Sequence, residues 1–474
     1  MKRESILTNV TWLAAGNIVI KPIWFVFLLI TARFLGAGEY GQFMLAISFV
    51  SFAYIFLEGG VDILTVRELS DNPGDFRRFF GHTSLFKLAT GVISSIAAIA
   101  AAFILKLSWT LIDIIILASV YNVSNVLLAH FRVVFRAFEV LKYEAISAVL
   151  EKSAVMVFCV GILFMHFGVV VYAVGFAIAY LVSCSITLGI LIAKIGMPQL
   201  GIQFSYLWQR IVKPALPFAL MNIFIVIYFR SGTLMLGAIT GREELVGYYS
   251  AGYRLVESFT LFPTIIVAPI YAAVTRQRDD VETVRRIMLE AFRALLFIGV
   301  VISCPIFIFR EQITLLLFGE GYRKAISTVG ILALTMIPIS VDFGAGTLVA
   351  ATGRQGKANW FIFGATVLNI VMNYFLIKTM STDGAAMTTV ITEIVIALSN
   401  LFIVHDYVPW PKVFNMFLRT IVPMLAVFAL MLTPFRNLNL VVQATTAVVI
   451  VSGGYFLLRV VTLRDLQKLL HFSF

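Results

Sequence analysis

NVTWLAAGNIVIKPIWFVFLLITA, residues 9–32, carries one charge, Lys21, in 24 residues. As an α-helix it would extend about 36 Å at 1.5 Å per residue, enough to cross a hydrocarbon core about 30 Å thick. The preceding MKRES is basic, but no small-residue cleavage site follows a short apolar core. The stretch therefore reads as a retained first spanning helix and not as a removed signal peptide. The rest of the chain is of the same kind. Its 474 residues are 60% hydrophobic and 13% charged, with a mean hydropathy of +0.97. Soluble domains are about 45–50% apolar and about 25% charged. No segment is long enough for a water-soluble catalytic domain. The fold class is an all-α polytopic membrane protein. The net charge of +11 is ascribed to basic loops and not to a nucleic-acid surface, which would need a soluble face.

A window of about 19 residues yields fourteen spans: 9–32, 42–65, 84–105, 109–130, 145–166, 169–193, 214–239, 250–274, 292–309, 326–350, 358–378, 385–404, 415–434 and 440–460. Glu144, Glu151 and Lys152 interrupt the start of the fifth, and ITLLLFG after Arg310-Glu311 forms a short extension of the ninth. An even count puts both termini on one side. That side then holds 24 Lys/Arg, among them Arg67, Arg77, Arg78, Lys87, Arg132 and Arg136, against 8 opposite, and the remaining four fall inside spans. The bias places both termini in the cytoplasm.

Local patterns recur at a slowly growing offset. Tyr40-Gly41-Gln42-Phe43 resembles Val246-Gly247-Tyr248-Tyr249 at 206, Arg77-Arg78 matches Arg285-Arg286 at 208, Lys142 matches Lys357 at 215 and Gly168 matches Gly384 at 216. A repeat of six spans enters the membrane twice in the same sense, with a pseudo-twofold along the membrane normal and the substrate path between halves. The expected organisation is an N-terminal lobe at 1–200, a C-terminal lobe at 201–410, and two further helices with a cytoplasmic tail at 411–474.

Ionisable groups inside a membrane cost at least a few kcal/mol and face a partner or a wet cavity. Lys21 precedes Pro22 in mid-span, and Arg230 and Arg254 lie in spans seven and eight. These three are the candidate substrate-binding cations, suited to phosphate or carboxylate, with Lys a point charge and Arg a planar fork. Glu58, Asp62, Asn222 and Glu257 are their candidate polar partners. Glu58 and Asp62 are spaced i, i+4 around Gly59-Gly60 with Arg67 in reach, and Arg254 and Glu257 are spaced i, i+3 on one face. Asp342 and Glu393 are candidates for ion coupling. Prolines 22, 214, 217, 263, 269, 305 and 338 punctuate the spans, and Arg276–Arg293 reads as an amphipathic surface helix near anionic headgroups. Cys159, Cys184 and Cys304 lie in apolar runs without a disulfide or metal pattern, and the five histidines are scattered without HExxH. No metal or cofactor is expected.

Three stretches carry a family resemblance: ARFLGAGEYGQF (32–43), GREELVGYYSAGYRL (241–255), and GTLVAATGRQGKANW with VLNIVMNYFLI and DGAAMTT (346–389). They resemble the signature stretches of Wzx-type polysaccharide repeat-unit flippases, relatives of the lipid II flippase and of MATE antiporters in the MOP superfamily. The resemblance covers essentially the whole chain. It implies a V-shaped bundle of two six-helix lobes plus two helices, working by alternating access in the bacterial cytoplasmic membrane. It also implies an undecaprenyl-diphosphate-linked oligosaccharide as cargo. The lipid II flippase has cavity-lining cations in its first and eighth spans. Lys21 and Arg254 fall in the matching helices, with Lys where the family typically has Arg.

A non-enzymatic flippase is therefore the leading expectation. Its partners would be membrane lipids, a coupling H+ or Na+, and the glycan polymerase and export machinery. The alternative is an ion-coupled multidrug antiporter on the same fold, whose cationic cargo favours an acidic cleft. A membrane-embedded glycan polymerase would need a long extracytoplasmic loop, and the outer loops run only about 15–20 residues.

Overall fold

Long apolar runs leave the backbone no water to bond with, so helices must satisfy their own amides. The computed structural model describes residues 6–458 apart from 59, 202 and 438, and among the described residues every regular element is helical. The chain forms α1 (Ile6–Glu58), α2 (Val61–Asp71), α3 (Phe76–Ile104), α4 (Trp109–Ala137), α5 (Leu141–Phe164), α6 (Gly168–Lys194), α7 (Phe204–Tyr206), α8 (Lys213–Thr240), α9 (Glu243–Phe259), α10 (Leu261–Arg276), α11 (Val281–Ile308), α12 (Arg310–Phe318), α13 (Ile326–Ala333), α14 (Met336–Ala351), α15 (Gln355–Ile403), α16 (Trp410–Met431) and α17 (Leu440–Leu457). A π-helical turn, Leu207–Val212, leads from α7 into α8.

Eleven helical stretches among the described residues are long and apolar enough to cross a membrane, against fourteen spans expected. α1 and α15 each join two helices across one non-helical residue, Gly36 (φ 71°, ψ 170°) and Ser381 (φ 54°, ψ −125°), so each run holds two of the expected spans. α17 contributes only a shorter apolar stretch, Thr445–Tyr455. The protein is a multi-pass membrane protein.

Three expectations are corrected. The second span does not run to residue 65: α1 ends at Glu58, and Gly60 takes a left-handed conformation (φ 65°) before α2 begins. The third begins at Phe76 and not at 84, because α3 opens with Arg77 and Arg78, which a hydropathy window rejects. Arg276–Arg293 is not a separate surface helix. α11 starts at Val281 and runs unbroken to Ile308, and Val284 and Met288 are fully buried in a core with Phe292, Leu296 and Leu348.

The chain divides into two compact units. The first holds Met1–Ala251, Leu317–Tyr322 and Asn373–Thr382; the second holds Gly252–Leu316, Arg323–Met372 and Asp383–Phe474. In the first unit, α4 packs against α3, α5 and α6, and α1 against α3, α4, α5 and α8. Helices in lipid associate by close packing and not by hydrophobic transfer, so small residues let backbones meet. At one such crossing, a Cβ on Gly41 would overlap the Glu243 carbonyl, and one on Gly247 would overlap the Ala37 carbonyl. Ala37 and Gly41 stand 206 residues before Glu243 and Gly247, so each glycine meets the counterpart of the other's partner. A twofold relation between two copies produces that reciprocity.

In the second unit, α11 packs against α10, α13, α14 and α16. One end of this unit is tied by arginines. Arg354 donates to both Asp406 oxygens (2.7 and 2.6 Å) and to the Ile403 carbonyl (2.7 Å), while Arg285 donates to the Tyr407 carbonyl (3.1 Å). The hydrogen bonds from Arg354 hold the Asp406 carboxyl below the ordinary aspartate range.

Candidate functional site

The densest charge in the first unit lies on two helix faces that sequence reading treated separately. Arg132 and Arg136 are one turn apart on α4, and Glu144, Ser147 and Glu151 fall on one face of α5 at i, i+3 and i+7. α5 runs antiparallel after a short turn, so the two rows meet as rungs. Arg136 clamps Glu144 through its Nε (2.8 and 2.9 Å). Arg132 Nη1 lies 2.7 Å from Glu151 Oε2, and its Nε and Nη2 donate to the Ser147 hydroxyl (2.9 Å) and carbonyl (2.8 Å). Glu151 Oε1 also accepts from Lys152 Nζ (2.5 Å) and from Tyr180 OH (2.9 Å) on α6. The groups that interrupt the fifth span in sequence are thus paired, and the helix begins before them.

A second cluster joins α2, α3 and α4. Asp62 Oδ2 accepts from Lys87 Nζ at 2.7 Å, and Asp62 Oδ1 lies 2.7 Å from His130 Nδ1. His130 Nε2 is 3.0 Å from the Thr83 hydroxyl, and its ring stacks on Phe80. An ionised Asp62 requires the proton on Nδ1, and the Thr83 hydroxyl beside Nε2 donates to the Phe80 carbonyl (3.1 Å). Lys87 and His130 are almost completely buried. The expected pairing of Asp62 with Arg67 is replaced by these two partners, and the helix break at Gly60 separates Asp62 from Glu58. By position alone Lys87 reads as a loop cation and His130 as one of five scattered histidines. Their partners are 25 and 68 residues distant, beyond any helical spacing.

Of the proposed cations, Lys21 lies in α1 and its side chain is outside the described residues, as are those of Glu58 in α1 and Asn222 in α8. Arg230 is half-buried on α8 in the first unit. Arg254 belongs to the second unit, where its Nη1 donates to Glu257 Oε2 at 2.6 Å, as the i, i+3 spacing implied. Asp342 on α14 accepts from Asn400 Nδ2 at 2.6 Å. Glu393 is buried on α15, where Asn369 donates to Thr392 Oγ1 at 3.1 Å.

Helical architecture and intramembrane charge together define a multi-pass membrane protein. The fold matches the lipid II flippase MurJ in an inward closed conformation with a TM-score of 0.75 at 13% identity, over 97% of this chain and 100% of that one. It matches an inward-facing multidrug-resistance MATE transporter of the MOP superfamily with a TM-score of 0.68 at 16% identity, over 84% and 98%. A eukaryotic MATE transporter matches with a TM-score of 0.59 at 14% identity, over 87% and 98%. No curated protein matches the chain by sequence. Residues 6–275, more than half the chain, match the polysaccharide biosynthesis protein family, and the chain belongs to that family.

Proposed function

We propose that the protein moves an undecaprenyl-diphosphate-linked oligosaccharide from the inner to the outer leaflet of the cytoplasmic membrane by alternating access. The observation that carries this reading is the polysaccharide biosynthesis family match over residues 6–275. The cations held inside membrane helices support it. In this reading Lys21, Arg230 and Arg254 bind the diphosphate while the polyprenyl tail stays in the bilayer. Arg254 donates to Glu257, and a phosphate oxygen would replace that carboxylate on the guanidinium. Asp342 and Glu393 are the groups through which an ion gradient would act. The repeat supplies lobes at 1–200 and 201–410 with a tail at 411–474, both termini lie in the cytoplasm, and the glycan polymerase receives the product.

Expression in a bacterium lacking its own repeat-unit flippase tests the reading. Surface glycan should return with the wild-type protein and fall to background with Arg254→Ala, the variant still inserting at wild-type level. Undiminished glycan in the variant would remove Arg254 from the pathway of the cargo.

A further inference from the structure

The connection from Ile195 to Val212 joins two membrane-crossing helices, α6 ending at Lys194 and α8 beginning at Lys213, so it lies where the membrane meets water. It is tied to the start of α3. The Gln199 amide donates to the Arg77 carbonyl (2.8 Å), and a Cβ on Gly81 would overlap the Gln199 carbonyl. Arg78 donates to Gln203 (3.1 Å) and lies 4.7 Å from the centroid of the Tyr206 ring, while the Tyr206 hydroxyl donates to Asp75 (3.2 Å).

Held in this way, the connection turns large apolar side chains outward. Phe204 is 80% exposed and Trp208 53%, and Met197 and Leu200 are exposed before them. Apolar area left in water is unfavourable, and a tryptophan near the end of a membrane span belongs at the bilayer interface. Cations stand in the same stretch and beside it. Arg77, Arg210 and Lys213 are exposed, and among the described residues none of these three side chains enters an ion pair or a hydrogen bond. The charges of Arg78 and Arg210 both act on the Tyr206 phenol, which brings Arg210 to the same ring. Exposed apolar side chains next to exposed cations match the two layers of an anionic bilayer surface, acyl chains beneath and phosphates above.

We propose that residues 197–213, together with Arg77, form a surface that binds the headgroups of anionic phospholipids. Phe204 and Trp208 enter the acyl boundary, and Arg77, Arg210 and Lys213 meet the phosphates, the lysine as a point charge and the arginines as planar forks. The contacts to α3 shape the surface before lipid arrives, so little freedom is lost on binding. The π-helical turn Leu207–Val212 continues into α8 without a break, so a headgroup held there also fixes the level at which α8 enters the bilayer. None of these residues is assigned to the cargo, and the proposal holds whichever cargo is carried.

The test titrates the purified full chain in uncharged detergent micelles with fluorescent phosphatidylglycerol and, in parallel, with phosphatidylcholine bearing the same label. Wild type should bind phosphatidylglycerol about tenfold or more tighter than phosphatidylcholine, and the preference should shrink as salt rises. Arg210→Gln/Lys213→Gln should lower the preference about fivefold or more, whereas the charge-keeping Arg210→Lys/Lys213→Arg should stay within about twofold. Trp208→Ala should weaken both lipids alike. The substituted cations are exposed, so both double variants should unfold at the wild-type temperature. Equal binding of the two lipids by wild type overturns the proposal, and so does a preference that the double Gln variant keeps. Geranylgeranyl diphosphate is titrated into the same proteins. If the double Gln variant loses that ligand and keeps its preference for phosphatidylglycerol, the cations serve a diphosphate and the lipid surface is overturned.

Discussion

In the first unit Lys87, Glu144 and Glu151 are each less than a tenth exposed and meet an opposite charge on their own or a neighbouring helix, and the equally buried His130 bonds to Asp62. In the second unit Arg254–Glu257, Arg285–Glu282 and Arg354–Asp406 leave both members more than a quarter exposed, while the core around Phe292 and Leu348 is apolar. Desolvation explains why this matters. A buried pair costs much of what its attraction returns, but removing one member strands the other at about 3–5 kcal/mol. An exposed pair is worth about 0–1 kcal/mol. The first unit thus keeps charge where it is expensive, and the second keeps its visible ion pairs where they are cheap.

The largest effect is expected at the buried end of this contrast. Lys87→Met removes the ammonium bonded to Asp62 Oδ2 and should lower stability by about 3–5 kcal/mol, read as thermal unfolding in detergent. The double variant Asp62→Asn/Lys87→Met should recover most of the loss. A silent single variant would break the contrast. Next comes the crossing at Gly41. Gly41→Leu must push apart two backbones and should cost about 1–3 kcal/mol or more. Gly161→Leu, with nothing within 4 Å of its added Cβ, should stay within about 0.5 kcal/mol. Equal losses would show that the reciprocal glycines do not set the packing.

The smallest effect belongs to the second unit. Arg354→Ala should cost about 0–1 kcal/mol at neutral pH. The Asp406 carboxyl is held below its unfolded value by Arg354, so its contribution is present above an ordinary aspartate pKa of about 3.9 and lost as pH falls through the folded value. Wild type and variant should therefore converge in stability below about pH 4. A gap that persists into acid would assign the effect to the Ile403 carbonyl bond.

Legibility in the sequence followed the range of the interaction. Apolar runs and loop glycines located most spans, because a helix long enough to cross lipid announces itself in one window. The Arg254–Glu257 pair was readable because three residues set its geometry. The ends of the second and third spans were not. The window averaged across Gly59-Gly60 and stopped short of the exposed Arg77 and Arg78 at the start of α3. Arg276–Arg293 was misplaced for a different reason. A helix lying on a membrane surface and one packing its apolar stripe into a core share the same periodicity. The cluster at Asp62 needed the packing of α2, α3 and α4, and that at Glu151 the antiparallel return of α4, α5 and α6, neither of which any local pattern contains.

The most direct test of transport is translocation in reconstituted vesicles. A fluorescent polyprenyl-diphosphate oligosaccharide is loaded into both leaflets, and a membrane-impermeant quencher reads how much crosses over time. The wild-type protein should make the inner-leaflet pool accessible, and Arg254→Ala should reduce that rate to the level of empty vesicles. Wild-type vesicles that behave like empty ones under an imposed ion gradient and membrane potential would contradict the flippase account.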